Sequence, residues 1–406
     1  MDLTLRNATL ATGERTDIGV SGARIAALRP GLAPGARDVD LEGRLVLPGF
    51  VETHIHLDKS CILDRCASER GDLAEAIGEV ARLKQGFDEA DVAARAAKTL
   101  RKCVVNGTSR MRTHVEVDPG IGLRGLRGVQ AAVADFAWAI DVEICVFPQE
   151  GLLNNPGTDE LMVEALKSGA TVVGAAPYTD SDPHGQIDRV FEMAREFDAD
   201  IDMHLDFASD PSQLDVEHVC RRTEEYGWGG RVAVGHVTKF AYLKPDALDA
   251  LARRLADAGV AVTVLPSTDL FLMGRDADHA VPRGVTPAHR FVEHGVNCSL
   301  ATNNVLNPFT PFGDCSMLRM ANLYANICQV GRLGGLATCL DMVSSRPAKL
   351  MNLADYGIAE GNPADLVVID ATDPAFAVAE IAQPTLGFKR GRPTFTRALP
   401  ELHWPR

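Results

Sequence analysis

Between residues 47 and 352 the chain alternates short apolar, β-branched runs with longer segments whose apolar positions recur at helical spacing. The strand-like runs fall at 45–56, 109–117, 142–147, 171–176, 201–205, 232–236, 261–265 and 297–302. Amphipathic segments at 89–106, 123–138, 159–169, 187–197, 213–226, 244–258 and 286–294 lie between them. This alternation constrains the fold strongly, because parallel strands need a crossover connection, and a helix is the usual one. A closed (β/α)8 barrel suits eight such units better than an open doubly wound sheet, since no glycine-rich phosphate loop follows the first run.

The two flanks read differently. Residues 1–46 hold short alternating runs, such as Leu3-Thr4-Leu5 and Arg24-Ile25-Ala26-Ala27-Leu28, broken by Gly, Asn and Pro. Residues 356–370 and 385–392 have the same texture. The expected fold class is α/β: a TIM-like (β/α)8 barrel over 47–352, with a small β-sandwich domain built from both chain ends, 1–46 and 353–406.

Composition narrows the function classes. A chain of 406 residues that is 46% hydrophobic can bury a large core. Its net charge of −14 argues against nucleic acid or an anionic membrane as partner, because binding phosphates needs a basic face. The nine cysteines are scattered without paired close spacing and read as reduced, mostly buried thiols. No basic start with an apolar core opens the chain, and no run approaches a membrane span, so a cytoplasmic protein is expected.

Chemistry in a barrel gathers where the strands run out at their C-terminal ends. Here the first strand ends in His54-Ile55-His56, a spacing that turns both imidazoles to one face of a strand. The other ends hold Arg112-Thr113-His114, Phe147-Pro148-Gln149-Glu150-Gly151, His204-Leu205-Asp206, Gly235-His236 and Thr302-Asn303-Asn304. Five of the eleven histidines therefore lie at strand ends. Buried histidines cost solvation unless bonded, so a shared ligand explains the cluster better than five separate packing accidents.

These segments, with Pro48-Gly49-Phe50-Val51-Glu52-Thr53 before the first histidine pair and Asp355-Tyr356-Gly357-Ile358-Ala359-Glu360-Gly361 near the end, run in order along nearly the whole chain. In them the sequence resembles the amidohydrolase superfamily, and within it the branch of cytosine deaminase and N-isopropylammelide isopropylamidohydrolase. The resemblance implies a hydrolase acting on C–N bonds of a small nitrogen heterocycle or cyclic amide, by deamination, dealkylamination or ring opening. It implies one divalent ion, zinc or iron, on His54, His56 and His204, with His236 acting on the water or the reacting group. Gln149 matches a glutamine that holds the amide-like edge of a ring. Lys59 and His114 are further candidates for the substrate side, although His114 also reads as a packed histidine and Lys59 with Asp58 as a solvated loop pair. Lys239 reads as a surface residue or as a partner for an anionic substrate. The related enzymes imply a homo-oligomer.

Two positions depart from the family pattern. The superfamily's last-strand aspartate, metal ligand and proton shuttle, aligns with Asn303, and an amide is a neutral ligand that cannot act as a base at neutral pH. The run His204-Leu205-Asp206-Phe207 lacks the acid-bearing pattern of cytosine deaminases. Asp206 stands two residues after His204, where the isopropylammelide branch places a histidine, and is the candidate acid or base if it shares the face of His204. Alternatively it holds His204 from behind or faces elsewhere. The second functional reading is a metal-free hydrolase or a catalytically impaired heterocycle-binding protein on the same fold.

Overall fold

The computed structural model describes residues 1–403. Strands β1 (Leu3–Thr9), β2 (Arg15–Ser21), β3 (Arg24–Leu28), β4 (Arg37–Asp40) and β5 (Leu45–Pro48) open the chain. Eight more follow: β6 (Phe50–Ile55), β7 (Thr108–Glu116), β8 (Asp141–Phe147), β9 (Val172–Val173), β10 (Asp200–Leu205), β11 (Val232–His236), β12 (Val260–Val264) and β13 (Cys298–Leu300). The last three are β14 (Leu366–Ile369), β15 (Pro384–Lys389) and β16 (Arg392–Thr396).

Strands β6 to β13 pair in sequence order, each parallel to the next. A parallel bridge between Ile55 and Asn303 joins the ends of this sheet, which makes it the expected TIM-like barrel. The crossovers include α1 (Leu73–Lys84), α2 (Glu89–Val105), α3 (Arg124–Phe136), α4 (Thr158–Lys167), α5 (Pro183–Phe197), α6 (Val216–Tyr226), α7 (Pro245–Ala258) and α8 (Pro266–Leu272). Their starts are written locally: the side chains of Asp72, Asp88 and Asp182 accept from backbone N–H groups of the first turns of α1, α2 and α5, and Pro183 occupies a first-turn position of α5.

The remaining strands form a second, mixed sheet in the order β16-β15-β14-β5-β1-β2-β3, with β4 on β1. They enclose a small core of their own, including Leu5, Ile18, Ile25, Val46 and Val368. The run expected as one strand over 45–56 is two strands belonging to different sheets. Gly49 marks the break, because a Cβ there would lie 2.3 Å from Ser109 Oγ, so the chain can pass this close to β7 only without a side chain.

The two sheets are tied by charge as well as by chain. Lys389 is buried, and its Nζ donates to Asp365 Oδ2 and Asp141 Oδ2, both at 2.7 Å, and to Ser109 O at 3.0 Å. Removing a buried cation leaves its carboxylates uncompensated. Lys389→Met is therefore expected to lower unfolding stability by about 3 kcal/mol, the lower end for breaking a buried pair, because Arg110 still faces both carboxylates. Equilibrium urea unfolding measures it.

Candidate active site

The site is built where β6 and the end of β13 meet. Asn303 N donates to His54 O at 2.9 Å and Asn303 O accepts from His56 N at 2.9 Å, so the backbone that closes the barrel also sets the height of both histidines. Asn303 adopts φ +61, a left-handed conformation that asparagine tolerates better than most residues. Below it, the buried Glu52 carboxylate accepts from His54 N, Thr302 N and Thr302 Oγ1. Burial pushes that carboxyl up to about 7 against these bonds.

Strand alternation turns the imidazoles of His54 and His56 into the barrel mouth, and His204 at the end of β10 meets them. His204 Nε2 lies 3.0 Å from His54 Nε2 and 3.2 Å from His56 Nε2. Three neutral imidazoles facing one another cannot satisfy every lone pair by hydrogen bonding, since His204 Nε2 carries at most one proton. These two spacings are close to the roughly 3.3 Å between neighbouring nitrogens of a tetrahedral zinc site with Zn–N of about 2.0–2.1 Å, and ring nitrogens of His54, His204 and His236 all lie within 4.8 Å of one another. The Nδ1 atoms of all three are buried without a partner, so nothing pulls the Nε2 atoms away from one another, and Nε2 of neutral imidazole is a donor that suits a divalent cation. Gly235 makes room for this packing: a Cβ there would lie 3.1 Å from His54 Nδ1.

The other residues singled out in the sequence fall into two groups. His56, Lys59, Gln149, His204, His236 and Asn303 line one narrow cavity, with Phe309 and Leu272 among the apolar walls. Lys59 Nζ is buried, donates to Glu116 Oε1 at 2.6 Å and sits 4.4 Å from the ring centre of Phe309. Gln149 Oε1 accepts from Lys59 Nζ at 3.4 Å, and its Nε2 is buried without a hydrogen-bond partner in the cavity it shares with Tyr178. Asn303 Nδ2 is 3.5 Å from His236 Nε2, and Asn303 Oδ1 has no partner.

Asp206, His114 and Lys239 stand elsewhere. The strand stops at Leu205, and Asp206 turns to φ +49. Its carboxylate accepts from the backbone N–H groups of Asp215 and Val216 at the start of α6 and pairs with Lys239 at 3.2 Å. Asp206 is therefore an anchor for the β10–α6 loop, away from the cavity, and Lys239 is its counter-ion. His114 stacks on His54 with ring centres 3.7 Å apart and does not line the cavity; a substrate contact for it is not what the packing provides. Asp58 orders its loop by accepting from Lys59 N and Glu116 N.

Two residues matter that the sequence reading passed over. Asp269, in the first turn of α8, accepts from His236 Nδ1 at 2.6 Å and from Leu265 N at 3.1 Å, and burial raises its carboxyl above the usual range. This bond fixes the ring with Nδ1 toward Asp269 and Nε2 toward the cavity, where Asn303 Nδ2 is its neighbour at 3.5 Å. Asp202 stands two residues before His204 on β10, so the same alternation that linked His54 with His56 would have placed it on the face of His204.

A family model described as "Amidohydrolase family" matches residues 37–135 and 135–395. The chain belongs to that family. It is 27% identical over 402 residues to an N-isopropylammelide isopropyl amidohydrolase of Pseudomonas sp. (strain ADP), covering 96% of each chain. Its structure is similar to a 5-methylcytosine deaminase from Klebsiella pneumoniae liganded with 5-fluorocytosine, with TM-score 0.95, 28% identity and 99% of both chains covered. It is also similar to an N-isopropylammelide isopropylaminohydrolase from Burkholderia multivorans, with TM-score 0.84, 29% identity and 96% and 97% covered. Each of these relatives spans the amidohydrolase chain almost from end to end.

Burial, followed by the neighbouring charges, holds His54, His56 and His204 well below the ordinary histidine value of 6.5. In the metal-free amidohydrolase the native state then binds fewer protons than the unfolded chain as pH falls below about 6.5, so stability is lost in that direction. Thermal melts in chelator are expected to show a falling Tm between pH 7 and 5; a flat profile contradicts neutral buried imidazoles. Asp206→Asn is expected to cost about 1–2 kcal/mol of stability through the loop anchor and to leave the pH dependence of turnover unchanged.

Proposed function

We propose that this amidohydrolase hydrolyses a C–N bond of a small nitrogen heterocycle or cyclic amide, with a single divalent ion, zinc or iron, held by His54, His56 and His204. The observation that carries the reading is His204 Nε2, which lies 3.0 Å from His54 Nε2 and 3.2 Å from His56 Nε2, with ring nitrogens of His54, His204 and His236 all within 4.8 Å of one another. Such an ion, when bound, supplies Lewis-acid activation of water at neutral pH. The relatives named for N-isopropylammelide and 5-methylcytosine support the heterocycle class.

The chain's own side chains divide the remaining work. The unpartnered Gln149 Nε2 donates to a ring carbonyl, and Lys59, held by Glu116, presents positive charge beside it. Asn303 is neutral and takes no proton. Proton acceptance therefore falls to His236 Nε2, whose ring is held by Asp269, and the proton is returned from the same atom to the departing nitrogen. Asn303 Oδ1 and Nδ2 orient the groups between His236 and the histidine centre. No observation favours a metal-free enzyme or a binding protein.

The nine free cysteines, six of them buried, suit a cytoplasmic protein, and no helix among the described residues is long and apolar enough to cross a membrane. Leu333 and Phe376, both large and exposed, offer apolar surface for a second copy of the chain.

Elemental analysis is expected to find about one equivalent of transition metal, and a screen of pyrimidines, triazines and hydantoins to find turnover. His204→Ala should abolish metal retention and lower kcat/KM about 10³-fold, roughly 4 kcal/mol of barrier. Less than about a tenth of an equivalent of metal in active protein overturns the metal centre, and His204→Ala that turns over normally overturns the site.

A further inference from the structure

Behind the histidine centre lies a group of orphaned polar atoms that the proposed chemistry does not use. Asp202 is fully buried; its Oδ2 accepts from Arg112 Nη1 at 2.9 Å, while its Oδ1 has no hydrogen-bond partner. Two ring nitrogens face that free oxygen, His114 Nε2 at 3.5 Å and His54 Nδ1 at 3.9 Å, and both are likewise unpartnered. Three buried orphans this near one another are costly unless a small shift satisfies them together. A carboxylate oxygen can accept two N–H groups.

We infer that Asp202 is a positioning residue of the histidine centre, whose Oδ1 accepts the Nδ1–H of His54 and so keeps the His54 Nε2 lone pair directed at His56 and His204. This rests on the proposed cation site. An imidazole has two tautomers, and only the one protonated at Nδ1 leaves Nε2 free to bind a cation. His54 is the one ring of the three whose Nδ1 faces a carboxylate within 4 Å. Arg112 holds that carboxylate from the other side and is itself braced by Glu143 at 2.6 Å, so the oxygen cannot rotate toward solvent. His114, stacked on His54, blocks rotation of the ring. Among the carboxylates of the described residues, only that of Asp202 lies within 4 Å of a His54 ring nitrogen.

The test uses the whole protein and zinc alone, with affinity read by competition against a chromophoric chelator and independently of turnover. Asp202→Asn keeps the volume. Its oxygen goes to Arg112, and its NH2 then faces His54 Nδ1, which favours the wrong tautomer. Zinc affinity is expected to fall about 10–100-fold, the usual loss when a residue behind a metal-binding histidine is changed. His114→Phe keeps the stack and is expected to stay within about threefold of the native affinity. If Asp202→Asn does not fold, 15N NMR of the native zinc-free protein, where no cation fixes the tautomer, is expected to show the His54 proton on Nδ1. Native affinity in Asp202→Asn with only a lowered Tm, an equal loss in His114→Phe, or a proton on His54 Nε2 each overturns the inference. Native protein that binds no zinc or other transition metal overturns the histidine centre itself, so the two failures are separable.

Discussion

The structure depends on a pair of backbone hydrogen bonds, from Asn303 N to His54 O and from His56 N to Asn303 O. They close the barrel between its first and last strands, and they do so at the height where the chemistry-bearing side chains emerge. A ring of parallel strands has no free edge once joined, so every neighbouring strand end is held in register around the same mouth. Glu52 reinforces the closure from below by bonding to both β6 and the end of β13. The same bonds therefore serve stability and the site, and the left-handed backbone at Asn303 is part of the join.

Around that mouth the electrostatics are arranged in pairs. His54 faces Asp202 and His236 faces Asp269, while Lys59 and Lys84 share the two oxygens of Glu116. Although burial opposes ionisation of Glu116, the two lysines hold its carboxyl below the usual carboxylate range. The three histidines that converge on one another are kept neutral by burial and by one another's presence. The arrangement keeps Nε2 lone pairs in the centre and positive charge at the cavity's edge, which suits an electron-rich ring and a nucleophile made at neutral pH.

Asn303 at the barrel's closing strand is neutral, so a proton near it must go to another group. Asp206 was the candidate substitute by spacing from His204, but alternation holds only while a strand continues, and this one ends at Leu205. Asp269, sixty-odd residues further on, reaches His236 instead, because α8 begins directly over the end of β12. An acid in the first turn of a short helix after a strand was the local signal, and nothing local said which histidine it would meet.

By itself the sequence determined the alternation of strands and helices, the sharing of the small sheet between both chain ends, and the histidines at strand ends. These follow from periodicity and residue type, which are local properties. The family likeness added the order of the motifs, and the position of Asn303 could be read from it. Only the tertiary structure decided that His204 Nε2 meets the first-strand pair, that Asp206 turns away, and that Asp202 and Asp269 stand behind different histidines. Those outcomes depend on barrel closure and on where each strand stops, which join residues as far apart as His54 and Asn303 and which no single stretch of sequence encodes.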